Sequence, residues 1–182
     1  PLLTLITSHF GNPAAPGIIE AAVVCELTHV ATLYHDDVMD EATVRRGTQS
    51  ANSRWGNTVA ILSGDFLFAR SSKLLADLGP EAVRVQAQTF ERLVIGQLRE
   101  SVGPQGNEDP IVHHLEVLAD KTGSLIAAAG RYGAMMSGVQ TSASVLNELE
   151  GHVSTVPPIR LFEGPKEEDP DPDGVQKEPG VT

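Results

Sequence analysis

The sequence has little of three things that would each point to a particular class of protein. Cys25 is the one cysteine among 182 residues, so an intramolecular disulfide is impossible. Basic residues are scarce, since 13 Lys and Arg stand against 24 Asp and Glu, and the formal net charge is -11. Because nucleic-acid-binding domains usually carry a basic surface, we expect no nucleic acid among the partners. No run of about 18 apolar residues occurs, so we expect no stable insertion into a membrane.

The remaining composition is that of a globular protein with one sizeable core, at 41% hydrophobic residues. A reducing, cytoplasmic compartment is the default expectation for such a chain. Cys25 lies in an apolar helical stretch, where a small buried side chain is its expected role. The start of the sequence lacks the basic segment of a secretory signal. Because the sequence begins with Pro1 rather than Met, we expect its natural N-terminus to be missing.

Helical patterns dominate most of the chain. From Ile18 to about Asp40 there is no Gly or Pro, and apolar residues recur at helical intervals, which predicts one long helix. Further helices are predicted from Ser50 to Leu75, from Pro80 to about Val102 and from Ile111 to Lys121. The sequence shows no strand pattern of useful length, so the predicted fold class is all-α.

The last part of the chain changes character, and we divide the sequence at residue 140. Residues 1–140 are predicted to form the helical domain, and residues 141–182 a segment of unrecognised type. A short helix is predicted from Ser142 to Val153. From about Gly164 the sequence is acidic and repeatedly interrupted by proline, which favours disorder.

The densest group of acidic side chains ends the first long helix. Asp36 and Asp40 are four residues apart and therefore leave the same helix face, with Asp37 next to them. Like charges at this spacing, at the negative end of a helix dipole, destabilise the helix unless a cation binds. Mg²⁺ suits such a place, because it takes one or two carboxylates together with water and phosphate oxygens. We therefore predict metal binding by Asp36, Asp37 and Asp40.

Cationic and polar side chains accompany this acidic cluster. His29 precedes Asp36 by seven residues, which places both on one stripe of the helix. Arg45 and Arg46 follow the cluster, and paired guanidinium groups fit phosphate oxygens well. Farther along the chain come Gln97, Lys121 and Thr122. Each is ordinary alone, since acidic helix ends are often solvated and a lone histidine is usually structural, but their joint occurrence favours a site for a metal-bound diphosphate.

These residues match the pattern of a known family. The stretch Glu26–Asp40, ELTHVATLYHDDVMD, followed by Arg45-Arg46-Gly47, resembles the first aspartate-rich motif of the trans-polyprenyl diphosphate synthases. Roughly residues 1–138 share the resemblance, through four further motifs: Trp55-Gly56, Ser63-Gly64-Asp65, Gly96-Gln97 and Lys121-Thr122-Gly123-Ser124-Leu125. It implies an antiparallel helical bundle of the isoprenoid synthase type around a deep apolar cavity, usually as a homodimer.

The resemblance also implies which side chains hold the metal and the allylic substrate. Asp36 and Asp40 would bind the Mg²⁺ ions that bridge to an allylic diphosphate, with Asp37 supporting them. Arg45 and Lys121 would contact that diphosphate. These five residues form the implied catalytic set.

The other implied contacts concern binding of the two substrates. His29 and Arg46 match positions that bind isopentenyl diphosphate, Thr122 matches an allylic-diphosphate contact, and Gln97 matches a residue that faces the cleft. The implied reaction is the Mg²⁺-dependent head-to-tail condensation of isopentenyl diphosphate with an allylic diphosphate. Cations and metal stabilise the departing diphosphate, isopentenyl diphosphate attacks the allylic cation, and water must be excluded.

The helix turn that precedes Asp36 in the sequence predicts the chain length of the product. Short-chain relatives of this kind tend to place a bulky aromatic residue there, whereas this sequence has Ala31 and Thr32. We therefore predict an open path and a medium- or long-chain polyprenyl diphosphate as product. Replacing Ala31 by Phe is expected to shorten that product.

The sequence departs from the family pattern at both ends. The family's Gly-Gly-Lys-x-x-Arg-Pro segment would be represented by Pro1 alone, and a second aspartate-rich helix is not found. The acidic run Glu167–Asp173 is no substitute, because Pro170 and Pro172 forbid a helix there. We therefore expect a truncated N-terminal half with impaired activity and with uncovered apolar helix faces.

Three other functions stay open at this point. A non-catalytic subunit that binds a prenyl diphosphate within a heteromeric synthase would explain the missing second motif. A metal-dependent phosphohydrolase would use His35 and Asp36 with further ligands such as His113, His114 or His152, although the pattern around those histidines does not match. A terpene cyclase would share the aspartate motif but fits the Arg45-Arg46 pair less well.

Overall fold

The computed structural model describes residues 1–139, which form helices almost throughout and so confirm the predicted all-α class. The predicted helix at 142–153 and the predicted disorder from residue 164 lie outside the described residues. The helices, in chain order, are α1 (Leu2–Ser8), α2 (Ile18–Met39), α3 (Ala51–Trp55), α4 (Asn57–Leu78), α5 (Pro80–Val102), α6 (Pro110–Leu118) and α7 (Ser124–Met136). A single π-helical turn, Ala119–Gly123, joins α6 to α7.

Local chemistry sets the helix boundaries. One continuous helix was predicted from Ser50 to Leu75, but Gly56 adopts φ 87° and ψ 159°, which is incompatible with a helix and separates α3 from α4. Pro80 begins α5, where its missing N–H costs nothing. The Asp109 carboxylate accepts hydrogen bonds from the backbone N–H groups of Ile111 and Val112 at 2.8 and 3.2 Å and so caps α6.

A small hairpin follows α2 that the sequence pattern did not predict. Strand β1 (Val44–Arg45) pairs antiparallel with β2 (Thr48–Gln49). The two turn residues, Arg46 and Gly47, both have positive φ, 51° and 80°. This is the combination that a tight type I′ hairpin turn requires. Strands of two residues are too short to produce a detectable alternation of polar and apolar residues.

The core lies where α2, α4, α5 and α7 meet. Small side chains let these helices approach closely. The hydroxyl of the buried Tyr132 donates a hydrogen bond to the Ala82 carbonyl oxygen at 3.1 Å, which links α7 to α5. Burial raises the pKa of Cys25, so the thiol stays protonated and packs as the small buried side chain that was expected. The buried cluster comprises Ala21, Val24, Cys25, Leu75, Ala82, Val85, Ala128, Ala129 and Tyr132.

The first helix packs along the last helix of the described chain. A Cβ added to Gly133 in α7 would collide with the Thr4 carbonyl oxygen, and one added to Gly11 would collide with Ser137, so the two segments touch through their backbones. The Asn12 N–H donates to the Ser137 carbonyl oxygen at 3.0 Å. This α1–α7 seam therefore joins the two ends of residues 1–139. Within that range no helix combines the length and the apolar character needed to cross a bilayer.

Candidate metal and diphosphate site

A cavity of about 620 Å³ opens between α2, α4, α5 and the π-helical turn. Its walls are mainly apolar, and its polar side chains come mostly from the end of α2 and from the π-helical turn. The polar and charged lining residues are His29, Thr32, His35, Asp36, Asp40, Arg45, Gln97, Ser101, Lys121 and Thr122. Most of the candidates predicted from the sequence therefore meet at one place.

The end of α2 presents two of the three predicted carboxylates to this cavity. Asp36 and Asp40 line it, whereas Asp37 is 2% exposed and lies on the interior side of the helix. Consecutive helix residues point about 100° apart, so Asp37 is turned well away from Asp36. Among the described residues, no three His, Cys, Asp or Glu side chains are gathered closely enough to hold a metal ion without other ligands.

Asp37 holds Arg45 rather than facing the cavity. The Arg45 Nε donates to Asp37 Oδ1 at 2.6 Å, and Arg45 Nη2 lies 2.5 Å from the same oxygen. The Asp37 carbonyl oxygen near the helix end accepts hydrogen bonds from the Asn52 side-chain amide at 2.9 Å and from the Ala42 N–H at 3.0 Å. The buried carboxylate thus fixes a guanidinium group at the cavity rim, and the prediction of Asp37 as a direct metal ligand does not match its position.

Lys121 brings a positive charge towards the Asp36 carboxylate. Its Nζ lies 3.9 Å from Asp36 Oδ2 and also pairs with Glu100. Burial raises the pKa of Asp36, while the charge of Lys121 acts in the opposite direction and that of Asp40 adds to the rise. Next to this pair, the buried Gln97 Oε1 has no hydrogen-bond partner anywhere in residues 1–139. The predicted cleft residue thus lines the cavity, and its side-chain oxygen is an acceptor without a partner.

The π-helical turn places Lys121 and Thr122 at the cavity. It packs directly on α5 at Gly96, where an added Cβ would lie 2.8 Å from the Lys121 backbone nitrogen and 3.0 Å from the Asp120 Cβ. Arg92 Nε donates to Asp120 Oδ1 at 2.9 Å and ties the same turn to α5. Single π-helical turns within helices are frequent at functional sites. The sequence placed these residues on a regular helix and gave no sign of the extra residue in the turn.

Two predicted residues lie elsewhere. Ala31 is fully buried and does not line the cavity, while its neighbour Thr32 does, with its hydroxyl donating to the His29 carbonyl oxygen at 2.8 Å. A phenylalanine at position 31 would thus enter the packed core and not the substrate path. Arg46 lies at the exposed hairpin tip, outside the cavity lining.

Two aromatic side chains that were not predicted from the sequence form part of the apolar wall of the cavity. Phe68 of α4 and Phe90 of α5 both line the cavity, with ring centroids 4.7 Å apart in an edge-to-face arrangement. The His35 ring lies 5.7 Å from Phe68. Helical spacing from Ile61 and Gly64 was the available signal for Phe68, but only the packing of α4 against α2 shows which face it joins.

Comparisons with known proteins identify the family of this chain. The model of the family described as polyprenyl synthetase matches residues 1–155. The chain belongs to the polyprenyl synthetase family. The recognition made from the sequence is therefore confirmed, and the match extends past residue 140, where we divided the chain.

Several relatives within the polyprenyl synthetase family resemble this chain. The nonaprenyl diphosphate synthase of Mycobacterium tuberculosis is 54% identical over 157 residues, which are 85% of this chain and 47% of the relative. The heptaprenyl diphosphate synthase component 2 of Geobacillus stearothermophilus is 36% identical over 139 residues, 76% of this chain and 43% of the relative. The chain thus spans about half the length, or somewhat less, of these curated relatives.

A solved structure shows the same arrangement of helices. The geranylgeranyl pyrophosphate synthase of Corynebacterium glutamicum, complexed with calcium and isoprenyl diphosphate, is 48% identical and superposes with a TM-score of 0.72. The match covers 85% of this chain and 46% of that one. The predicted isoprenoid synthase fold is confirmed, as is the transferase class of the family.

Proposed function

We propose that this protein binds an allylic diphosphate together with Mg²⁺ and takes part in head-to-tail condensation with isopentenyl diphosphate. One observation carries the proposal: Asp36, Asp40 and Lys121 meet at the polar end of a mainly apolar cavity. A prenyl diphosphate has the matching shape, with a charged head for this end and an apolar chain for the walls. The names of the relatives support the same substrate class.

The donor set at the end of α2 fits Mg²⁺. Two carboxylates, Asp36 and Asp40, are the usual protein share of a magnesium site completed by phosphate oxygens and water. The raised pKa of Asp36 indicates that its ionised form lacks full compensation in the chain alone, and a divalent cation would supply it. Bound Mg²⁺ would neutralise charge on the diphosphate as it departs.

Side chains of the chain itself would position and stabilise the substrate. Lys121 and Thr122 would donate to diphosphate oxygens, and Arg45, held by Asp37, would approach from the rim. The Gln97 Oε1 is a carbonyl dipole at the same end of the cavity, where a developing positive charge would be favoured. His29 lines the cavity and remains our candidate for the second diphosphate, together with the exposed Arg46.

Product length would depend on the apolar wall. We retain a medium or long product, because Thr32 leaves room beside Asp36, but we assign the control of length to Thr32, Phe68 and Phe90 instead of Ala31. Thr32→Phe is expected to lower affinity for long prenyl diphosphates and to spare a short one. Ala31→Phe is expected to destabilise the fold by overpacking. Calorimetric titration with prenyl diphosphates of graded length would separate the two.

A non-catalytic role within a heteromeric synthase is the second candidate. The open cavity wall favours this role. Its residues Phe90, Val94 and Leu98 are 38%, 42% and 59% exposed. Water can therefore enter the cavity, where it would trap the allylic cation that catalysis requires. The name of the relative called component 2 supports the heteromeric part of this candidate. We therefore expect the 182-residue chain to bind its ligand more readily than it turns substrates over.

A metal-dependent phosphohydrolase has no support in the described part of the chain. His113 uses both ring nitrogens in the fold, with Nδ1 2.9 Å from Glu108 Oε2 and Nε2 3.2 Å from the Arg99 carbonyl oxygen. It is thus unavailable to join Asp36 in a metal site.

The deciding experiment is titration of the chain with a non-ionisable thiodiphosphate analogue of an allylic diphosphate, with and without Mg²⁺. We expect binding that requires Mg²⁺ and that is lost in the Asp36→Ala, Asp40→Ala double variant. Asp77→Ala, which alters an exposed carboxylate on α4 outside the cavity, serves as the control. Equal binding without Mg²⁺, or in the double variant, would contradict the proposed function. Turnover with isopentenyl diphosphate, compared with a complete synthase, then distinguishes the enzyme from the binding subunit.

A further inference from the structure

We propose that His35 is a positioning residue that locks the metal-binding end of α2 onto α4, through a gap that Gly64 keeps open. The inference rests on the proposed function, because the position that it fixes is that of Asp36 and Asp40. His35 belongs to neither the implied synthase site residues nor the ligands of the proposed function. Its interactions give it a separate task.

The His35 ring makes a defined set of hydrogen bonds to α4. Its Nε2 lies 3.1 Å from the Ile61 carbonyl oxygen and 3.3 Å from Asp65 Oδ1. A backbone carbonyl oxygen can only accept a hydrogen bond, so Nε2 must carry the hydrogen. The interaction thus assigns the Nε2–H form to the neutral ring. It also supplies a donor to a backbone carbonyl near the start of α4.

Gly64 makes this approach possible. A Cβ built on Gly64 would collide with the His35 ring and would lie 3.1 Å from the Ala31 carbonyl oxygen. Even alanine would therefore have to displace the imidazole and push α2 away from α4. The glycine is needed for close approach and not for an unusual backbone angle, since its φ is not among the positive values.

The consequence reaches the metal site through the chain itself. His35 is bonded to Asp36, and Asp40 lies one turn later with its N–H donating to the Asp36 carbonyl oxygen at 2.8 Å. Fixing the His35 ring on α4 fixes the rotation of this last turn, which decides whether Asp36 and Asp40 point into the cavity. The same ring packs 5.7 Å from Phe68, so it also joins the metal end to the apolar wall.

The test compares two replacements of His35 that differ in one property. His35→Gln keeps an N–H at about the same reach from the backbone, whereas His35→Leu keeps bulk and loses the donor. His114→Leu, at an exposed histidine outside the cavity, is the matched control. Gly64→Ala closes the gap, and Gly130→Ala is its control, because a Cβ at that helical glycine meets only ordinary contacts at 3.8 and 3.9 Å.

The first readout needs no metal. Long-range proton–nitrogen NMR is expected to show His35 in the Nε2–H form, and amide hydrogen exchange is expected to show protection of the Asp40 N–H. His35→Leu and Gly64→Ala should accelerate exchange at Asp40, while His35→Gln and both controls should preserve it. Unchanged exchange in His35→Leu, or a hydrogen on Nδ1 only, would overturn the inference.

The second readout is the Mg²⁺ concentration needed for half-maximal binding of the thiodiphosphate analogue. It should rise roughly tenfold or more in His35→Leu, as loss of an outer partner typically causes, and return close to the original value in His35→Gln. If the unaltered chain shows no Mg²⁺-dependent binding, the proposed function fails, and Asp40 exchange still decides the role of His35. If that chain binds and His35→Leu needs no more Mg²⁺, the positioning role is wrong.

Discussion

At the scale of single residues, the Asp36 carboxylate lies half-buried between Lys121 and Asp40. Burial raises its pKa, so the folded state holds the Asp36 proton to a higher pH than the unfolded chain does. Stability is consequently lost as pH rises through the interval between the ordinary and the raised pKa. The ionised form that a metal requires is also the form that weakens the metal-free fold.

Asp36→Asn is predicted to separate these two effects. Since the amide has no charge to bury, the metal-free variant should unfold at a higher temperature than the unaltered chain at neutral pH. The difference should shrink as the pH falls and Asp36 becomes protonated, and Mg²⁺-dependent analogue binding should be absent throughout. Thermal melts across a pH series would show this. A variant less stable at neutral pH would indicate that Lys121 outweighs burial.

The Asp37–Arg45 pair gives a second residue-scale prediction. Asp37 is almost fully enclosed while Arg45 is about one-third exposed, so the two ends of the pair have unequal access to water. Arg45→Ala, which strands a buried carboxylate, should cost about 3–5 kcal/mol of unfolding free energy. Asp37→Asn should cost less, about 1.5–3 kcal/mol, because the guanidinium group can hydrate. Urea denaturation would rank them, and the reverse order would refute the assignment of the buried partner.

At the scale of elements, the π-helical turn shows how a backbone irregularity places two side chains. Residues 119–123 hold an extra residue within the helical path from α6 to α7, and the Lys121 backbone rests on Gly96 of α5. Lys121 and Thr122 line the cavity from this turn. The contact between the backbones of the turn and of α5 therefore helps to direct the Lys121 side chain towards Asp36.

Gly96→Ala is predicted to disturb this contact. The added methyl group would have to displace backbone atoms, so we expect a loss of about 1–3 kcal/mol of unfolding free energy and weaker analogue binding. Gly130→Ala should instead stabilise the chain by up to about 1 kcal/mol, because alanine is the better helix former and meets no obstacle. Chemical denaturation with analogue titration measures both. A neutral Gly96→Ala would show that α5 and the turn are not tightly packed.

The sequence predicted the elements better than their contacts. The start of α2 and both ends of α5 were recognisable because Gly17, Pro80 and Gly103 mark them. Asp36 and Asp40 were recognisable as partners from their spacing alone. The inward direction of Asp37, the enclosure of Ala31 and the π-helical turn depend on which neighbours press on each helix, and a single sequence carries no direct record of those neighbours.

At the scale of the whole molecule, apolar side chains remain on the outer surface of the helices. Val59, Leu62 and Phe66 form one stripe along α4 and are 45%, 61% and 63% exposed. Their spacing of three and four residues places them on one helix face. An exposed apolar stripe of this kind favours self-association of the chain.

Leu62→Ser is predicted to weaken this self-association, with little effect on folding because the side chain contributes little to the core. Ile19→Ser on α2, at 62% exposure, removes an equally exposed apolar side chain away from the stripe and should leave association unchanged. Sedimentation velocity over a range of concentrations would compare them. If both variants weaken association equally, the association is nonspecific hydrophobic contact. If neither variant changes it, this face is not the interface.

The α1–α7 seam has a consequence for how the protein is made. During synthesis, α1 leaves the ribosome well before α7, so the backbone contacts at Gly11 and Gly133 can form only after the intervening helices have been made. The face of α1 that carries Thr4 and Ser8 stays without α7 during that interval. Because contacts between residues far apart in the sequence form slowly, we expect this contact to form late in folding.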